Sequence, residues 1–224
     1  MAYWGYFHFM KEVCSLAKDA DGPRVIEIGV DRGQTLLPVL HYLSLNFDNF
    51  HLVGCDIHMR DALNVQLEQM SSNLKENQIF EFAFDSSLNV LPALLKSLDG
   101  TQFEGKGYFN LMLIDGDHNY YTVKREFETI PHLLAPGGII IFDDYDGRWS
   151  NQDEFFIERE GYAKNEKALP REIGETESKK GVKPAVDEFL EANPNWAKTK
   201  LPQFDDYEPI ILYRKGEVTF NHIK

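Results

Sequence analysis

The sequence predicts an α/β domain: a doubly wound, mostly parallel sheet with an antiparallel closing strand. Three observations carry this expectation. Short apolar runs alternate with helix-spaced segments between residues 25 and 146, each run stops at a turn or an acid, and one further apolar run lies near the C-terminus. Strand and helix units in series favour a parallel sheet covered on both faces. A length of 224 residues suits one domain with a substantial core. The expected division is a single domain over 1–224, with an N-terminal helix in 1–22 and a substrate loop or lid over 147–180.

The elements follow in order. Residues 6–18 have helical spacing, with Phe7, Met10, Cys14 and Ala17 on one face. Val25-Ile26-Glu27-Ile28 reads as a buried strand, and Gly29 and Gly33 bracket a turn that opens a helix at Gln34-Thr35-Leu36-Leu37. Strands are then expected at 50–55, 79–84, 109–114 and 139–142. Helices are expected at 62–77, 88–97 and 121–134, the last ended by Pro136-Gly137-Gly138. Residues 147–180 are polar, with no sustained period, and read as a long loop. Pro184 suits the first turn of a helix that runs through Ala192, and 209–213 reads as the closing strand.

Charge and cysteine usage narrow the function classes. Lys and Arg total 23 against 36 Asp and Glu, a net charge of −13, and no basic run occurs. Nucleic acid is therefore not an expected partner, because phosphate binding needs a positive footprint. Cys14 and Cys55 lie in apolar segments and suit buried thiols in a reducing compartment. With neither a signal-peptide pattern nor a membrane-length apolar run, a cytoplasmic location away from membranes is expected. The aromatic stretch Tyr3-Trp4-Gly5-Tyr6-Phe7 either packs on a second copy, giving a homo-oligomer, or covers its own core.

Glu27, Asp56, Asp85, Asp115 and Asp143 each fall at or near the end of an expected strand, the edge where such sheets bind ligands. A nicotinamide site needs G-x-G-x-x-G; here the turn is Gly29-Val30-Asp31-Arg32-Gly33, and Asp31 would repel a pyrophosphate. The pattern E-x-G-x-x-x-G suits a phosphate-free cofactor. Glu27 would face a cationic group, Gly29 would allow close approach, Asp56 would accept from a ribose diol, and Asp85 with Ser86 would meet an adenine edge. The competing structural reading pairs Glu27 with a base and leaves the glycines a plain turn.

Asp115-Gly116-Asp117-His118 and Asp143-Asp144 form a second constellation. If both runs end adjacent strands, Asp115, Asp143 and Asp144 converge, and a hard divalent cation relieves their repulsion. An oxygen-only site favours magnesium, calcium or manganese over zinc. Asp117 and His118 are the candidate general bases, with Asp117 preferred. Otherwise, Asp143 and Asp144 cap a loop and Asp117 stabilises a turn. Tyr120, Tyr121 and Trp149 are candidates for stacking on a ring, and Glu166-Lys167 reads as a solvated face.

The ordered stretches VIEIGVDRGQT, GCDIH, FAFDSS, LMLIDGDHNYYTVKREFE and LLAPGGIIIFDDYD resemble class I S-adenosylmethionine-dependent methyltransferases. The stretch with DGDH and PGGIIIFDDY most resembles the metal-dependent macrocin and aminocoumarin-sugar O-methyltransferase group, and more distantly catechol O-methyltransferase. The resemblance runs from Val25 to Asp146, with GVKPAVDEFLEANP a weaker match beyond. It implies a seven-stranded Rossmann-like methyltransferase fold and S-adenosylmethionine as cofactor. Glu27, Gly29 and Gly33 would lie along the methionine part of the cofactor, Asp56 on the ribose, and Asp85 and Ser86 beside adenine; Asp115 would border the cofactor and also bind the ion. Metal ligation would fall to Asp115, Asp143 and Asp144, with magnesium the expected ion, and Asp117 would stand where relatives carry a proposed base.

Catechol-type enzymes commonly place Asn where this chain has Asp144, which points to the sugar-modifying branch. The expected reaction is methyl transfer to a hydroxyl of a small sugar or natural-product acceptor. A metal-independent methyltransferase of the same fold and a non-catalytic S-adenosylmethionine-binding protein are the alternatives.

Overall fold

The computed structural model describes residues 3–16, 22–162, 164–201 and 209–218. Strands β1 (Arg24–Ile28), β2 (Phe50–Cys55), β3 (Gln78–Ala83), β4 (Phe109–Ile114) and β5 (Leu134–Phe142) pair in parallel. Strands β6 (Trp196–Lys200) and β7 (Ile210–Arg214) extend the sheet, β7 running antiparallel to both β5 and β6. The order is β3-β2-β1-β4-β5-β7-β6, so the chain reverses direction across the sheet between β1 and β4. This is the expected seven-stranded, mostly parallel arrangement with an antiparallel closing strand. Open sheets of this kind form a ligand crevice at such a reversal.

Side-chain alternation divides the core between the two faces. Ile26, Met112, Ile114, Ile140 and Phe142 point into one apolar layer; Val25, Leu111, Leu113, Ile139 and Ile141 point into the other. Helices α1 (Tyr3–Leu16), α2 (Leu36–Asn46) and α3 (Asp61–Ser71) cover the second layer. Helices α4 (Ser87–Ser97), α5 (Tyr120–Glu126), α6 (Ile130–Leu133) and α8 (Val182–Ala192) cover the first, while the short α7 (Arg171–Gly174) lies in the segment before α8. Helix α8 docks through Val182, Ala185, Val186 and Phe189, spaced i, i+3, i+4 and i+7. Phe189 stacks on Phe127 at 4.2 Å between ring centroids, and Phe127 stacks in turn on Phe142 at 5.0 Å. Each such pair adds about 0.5–1.5 kcal/mol beyond simple burial.

Four elements differ from expectation. The helix expected over 121–134 is broken into α5 and α6, because Pro131 lacks the N–H that would continue one helix and instead begins another. Helix α3 ends at Ser71 rather than 77. Strand β5 starts at Leu134, before the expected 139, and Pro136-Gly137-Gly138 is absorbed as an irregularity in its pairing with β4. The expected helix over 6–18 begins earlier, at Tyr3, and Ala17 and Lys18 lie outside the described residues. Tyr6 of the aromatic N-terminus is buried in this chain's own core. Among the described residues no helix is long and apolar enough to cross a membrane.

The turn after β1 is fixed by a close crossing. Gly29 has φ +86°, and a Cβ there would lie 1.8 Å from the Asp115 carbonyl oxygen. Gly100 has a similar φ of +75° with nothing within 4 Å. Gly100→Ala is expected to cost only the left-handed penalty of about 1–2 kcal/mol, whereas Gly29→Ala must also move the end of β4. In urea denaturation Gly29→Ala should lose more than about 3 kcal/mol or fail to fold; equal losses at the two positions would refute the crossing as the cause.

Candidate active site

A cavity of about 820 Å³ opens at the carboxyl ends of β1, β2, β3 and β4, within the size range of small-molecule sites. Glu27, Asp56, Asp85, Ser86, Asp115 and Asp117 all line it. Asp56 follows β2 directly: its Oδ2 accepts from the Val30 and Asp31 N–H groups and its Oδ1 from the His58 N–H, each at 2.8 Å. Those bonds hold the glycine turn against β2 and leave Oδ1 room for one further donor. Asp31 pairs with Arg60 at the rim. Asp85 accepts from the Ser86 N–H at 2.7 Å and from Asn89, while Ser86 caps α4 through the Leu88 N–H. Gly33, at φ +72°, packs over Leu63 of α3.

Glu27 lies at the cavity floor, 2% exposed, and its Oε2 has no hydrogen-bond partner. Burial, reinforced by Asp115 and Asp56, pushes its pKa well above the usual carboxylate range. No basic side chain pairs with it among the described ion pairs, so the expected structural alternative is not the arrangement found.

The strand register explains the acidic cluster. Ile28 pairs with Ile114, and Ile114 with Phe142, so Asp115 and Asp143 are the next residues on adjacent strands and face the α1 side with Glu27. The Asp115 and Asp143 carboxyls lie within hydrogen-bonding reach of one another, and Asp115 has a strongly raised pKa, from burial first and Asp143 second. Asp143 also accepts from the Tyr6 hydroxyl of α1. Asp144 adopts φ +53°, a left-handed conformation that Asp tolerates better than most residues. Its carboxylate reaches His118, whose Nε2 lies 3.4 Å from Asp115 Oδ1 and 3.5 Å from Asp144 Oδ2. Single ligand atoms of Asp115, His118 and Asp144 all fall within 4.8 Å of one another. Burial lowers the His118 pKa, but Asp115, Asp144 and Asp143 outweigh it and leave the pKa raised.

Asp117 is held differently. Its Oδ2 accepts from the Thr122 hydroxyl at 2.5 Å and its Oδ1 from the Asn119 amide, which ties it to the first turn of α5 beside the cavity. Burial raises its pKa despite these bonds.

Trp149, Glu154, Phe156, Arg159, Tyr162 and residues 166–170 also line the cavity, and none of the contacts made by this part of the chain was legible in the sequence. Trp149 stacks on His118, 12° from parallel. Glu154, 5% exposed, accepts at 3.1 Å from His118 Nδ1, pairs with Arg159, and gives its backbone carbonyl to Asn119. Asp153 accepts from the Tyr120 N–H at 3.0 Å and so caps α5 from a distance. Further along, Tyr162 packs on His58, Asn165 donates to the Ile57 carbonyl, and Lys167 donates to the Phe84 carbonyl at 2.6 Å. Glu166 and Lys167 both border the cavity; Glu166 is exposed, as expected of a solvated face, while Lys167 is half-buried. Tyr120 directs its hydroxyl to Glu188, and Tyr121 carries Arg125 over its ring.

Beneath the cavity Glu126 is buried with neither carboxylate oxygen in a well-formed hydrogen bond, and burial pushes its pKa up to about 8. A carboxyl whose folded pKa is raised binds more protons in the folded state, so its ionisation lowers stability as pH rises from about 4.5 to about 8. Glu126→Gln should melt like the wild type at pH 5 and be more stable by more than about 1 kcal/mol at pH 9. Melting curves across that range that differ by a constant amount would show that Glu126 does not ionise in the folded protein.

Comparisons with known proteins agree with this geometry. A family model described as a methyltransferase domain matches residues 26–145. The uncharacterized protein R132 of Acanthamoeba polyphaga mimivirus is 25% identical over 153 residues, which is 66% of this chain and 62% of that protein, so the match spans less than two thirds of the relative. Among solved structures, the O-methyltransferase TomG of Streptomyces achromogenes, involved in tomaymycin synthesis and solved with SAM, superposes with a TM-score of 0.51 at 16% identity, covering 95% of this chain and 79% of its own. CalS11, a TDP-rhamnose 3'-O-methyltransferase of calicheamicin biosynthesis, superposes with a TM-score of 0.58 at 15% identity, covering 96% and 79%. Both likenesses are of fold. The family match covers more than half of the sequence, from the middle of β1 to the residue after Asp144, and by it the chain belongs to the methyltransferase-domain family.

Proposed function

We propose that the chain transfers the methyl group of S-adenosylmethionine to a hydroxyl oxygen of a small acceptor, of sugar or natural-product type, with the help of a divalent cation. The observation that carries the reading is Glu27: a buried carboxyl group with no hydrogen-bond partner for Oε2, at the floor of an acidic cavity, suits a cationic ligand whose charge would supply the missing partner. When bound, S-adenosylmethionine supplies an electrophilic methyl on a sulfonium and the cation lowers the pKa of the acceptor hydroxyl. Glu27 would stand near the methionine part, with Gly29 and Gly33 shaping the turn around it. Asp56 Oδ1 would take one ribose hydroxyl, and Asp85 with Ser86 would border the adenine.

The donor set beside the cavity fits a cation. Asp115, Asp143 and Asp144 crowd negative charge where little water reaches it, and only a proton or a cation relieves that repulsion. Asp117, raised in pKa and fixed by Thr122 and Asn119, would accept the hydroxyl proton. Residues 147–180 would act as a lid that excludes water and shapes the acceptor site. CalS11, which shares the fold, is a methyltransferase of a sugar hydroxyl, and the acidic crevice of this chain suits a neutral, hydroxylated molecule better than an anionic one.

One observation favours a second reading, a methyltransferase without metal: His118 sits among Asp115, Asp144 and Glu154 and, protonated, would itself balance their charge. Chelation separates the two. Turnover of hydroxylated acceptors is expected to stop with chelator and return with magnesium or manganese; turnover that persists supports the metal-free form. In calorimetric titrations Glu27→Gln should weaken S-adenosylmethionine binding at least about tenfold, or about 1.4 kcal/mol, and Asp144→Ala should cost about 10²-fold or more in metal-supported rate with cofactor affinity nearly intact. Equal loss of both properties in Asp144→Ala would sink this division of roles.

A further inference from the structure

We propose that His118 is itself a ligand of the divalent cation, through Nε2, and that Glu154 holds the imidazole in that role, making the site a mixed nitrogen and oxygen one. The inference rests on the metal-assisted reading and changes its expected all-carboxylate ligand set.

Two distances carry it. Nε2 lies 3.4 Å from Asp115 Oδ1 and 3.5 Å from Asp144 Oδ2. A charge-assisted N–H···O bond would close to about 2.7–2.9 Å, so these separations are long for an imidazolium gripping two carboxylates. They suit donor atoms that share one ion: two atoms each about 2.1 Å from a metal lie roughly 3.0 to 3.4 Å apart at octahedral to tetrahedral angles.

The second observation is on the far side of the ring. Glu154, buried at 5% exposure, faces Nδ1 at 3.1 Å. A proton on Nδ1 donated to that carboxylate leaves the Nε2 lone pair directed at two acids, an arrangement that repels unless a proton or a metal cation lies between them. A carboxylate behind a histidine is the usual way a metal-binding imidazole is oriented and made more basic. Trp149 stacked on the ring and Asn119 bonded to the Glu154 carbonyl prevent either partner from swinging away. One nitrogen donor shifts preference from magnesium and calcium toward manganese and later divalent ions.

The test uses the chelator-treated full chain. S-adenosylmethionine binding is measured first by calorimetry without metal, which reports a folded cofactor site on its own. Manganese is then added and pulsed electron paramagnetic resonance reads whether nitrogen modulates the manganese echo. Strong modulation from a directly bound imidazole nitrogen, lost in His118→Ala, is expected. Glu154→Gln is expected to weaken manganese binding about 10- to 100-fold. Bound manganese without nitrogen modulation overturns the inference and leaves the metal-assisted methyltransferase reading standing. No manganese binding by a sample that binds S-adenosylmethionine overturns both the inference and the metal-assisted reading while the cofactor reading survives. An unchanged manganese affinity in Glu154→Gln overturns the role of Glu154 as the group that orients the imidazole.

Discussion

Carboxylates crowded where parallel strands end are the constraint on which the rest of the site depends. The register that pairs Ile28 with Ile114 and Ile114 with Phe142 puts Glu27, Asp115 and Asp143 on one face of three adjacent strands. Two apolar layers then exclude water from beneath them. Burial, reinforced by neighbouring acids, raises the pKa of Glu27 and Asp115, and such groups oppose folding while ionised. A fold that keeps them must offset that cost through its core, and the near-complete burial of Val25, Ile26, Met112, Ile140 and Ile141 is where it does so.

The segment from 147 to 181 is tied to this crowding at both ends. Near its start, Trp149 and Glu154 hold the imidazole that faces Asp115 and Asp144. Further on, Asn165 and Lys167 bond to carbonyls just after β2 and β3, over the other half of the cavity. Asp153 joins the two halves by capping α5, the helix that carries Thr122 and Glu126. A displacement of this segment would therefore disturb the histidine, the cavity roof and a helix terminus together. Apart from two short helical turns, Phe156–Glu158 and α7, the segment has no regular hydrogen-bond ladder, and side-chain bonds carry much of its attachment to the rest of the domain.

How much of this was legible depended on whether the signal was local. The central strands read clearly because a strand buried on both faces is a continuous apolar run, as in Phe109 to Ile114, and their ends read clearly because each run stops near an acid. Strand β6 was not located: an edge strand of sequence WAKTK shows alternating burial and carries two lysines, so it looks like a loop. The break between α5 and α6 was signalled by Pro131 and overridden by the apolar period around it. Within the site, residue types were visible but directions were not. Asp117 turns to Thr122, Asp143 meets Tyr6 from a helix more than a hundred residues away, and Glu154 gave no signal because its partner is set by tertiary contact alone.

The same separation accounts for Gly29. From sequence, a glycine two residues after Glu27 reads as space for a ligand, and the left-handed φ agrees with that. A Cβ there would first meet the Asp115 carbonyl, so the glycine also lets the end of β4 cross close to the turn after β1. A side chain at position 29 would push Asp115 away from Glu27 and from Asp143, loosening the cluster before any ligand was considered. The glycine and the acids thus form one device: tight backbone crossing fixes the distance between the carboxyl groups at the end of the sheet.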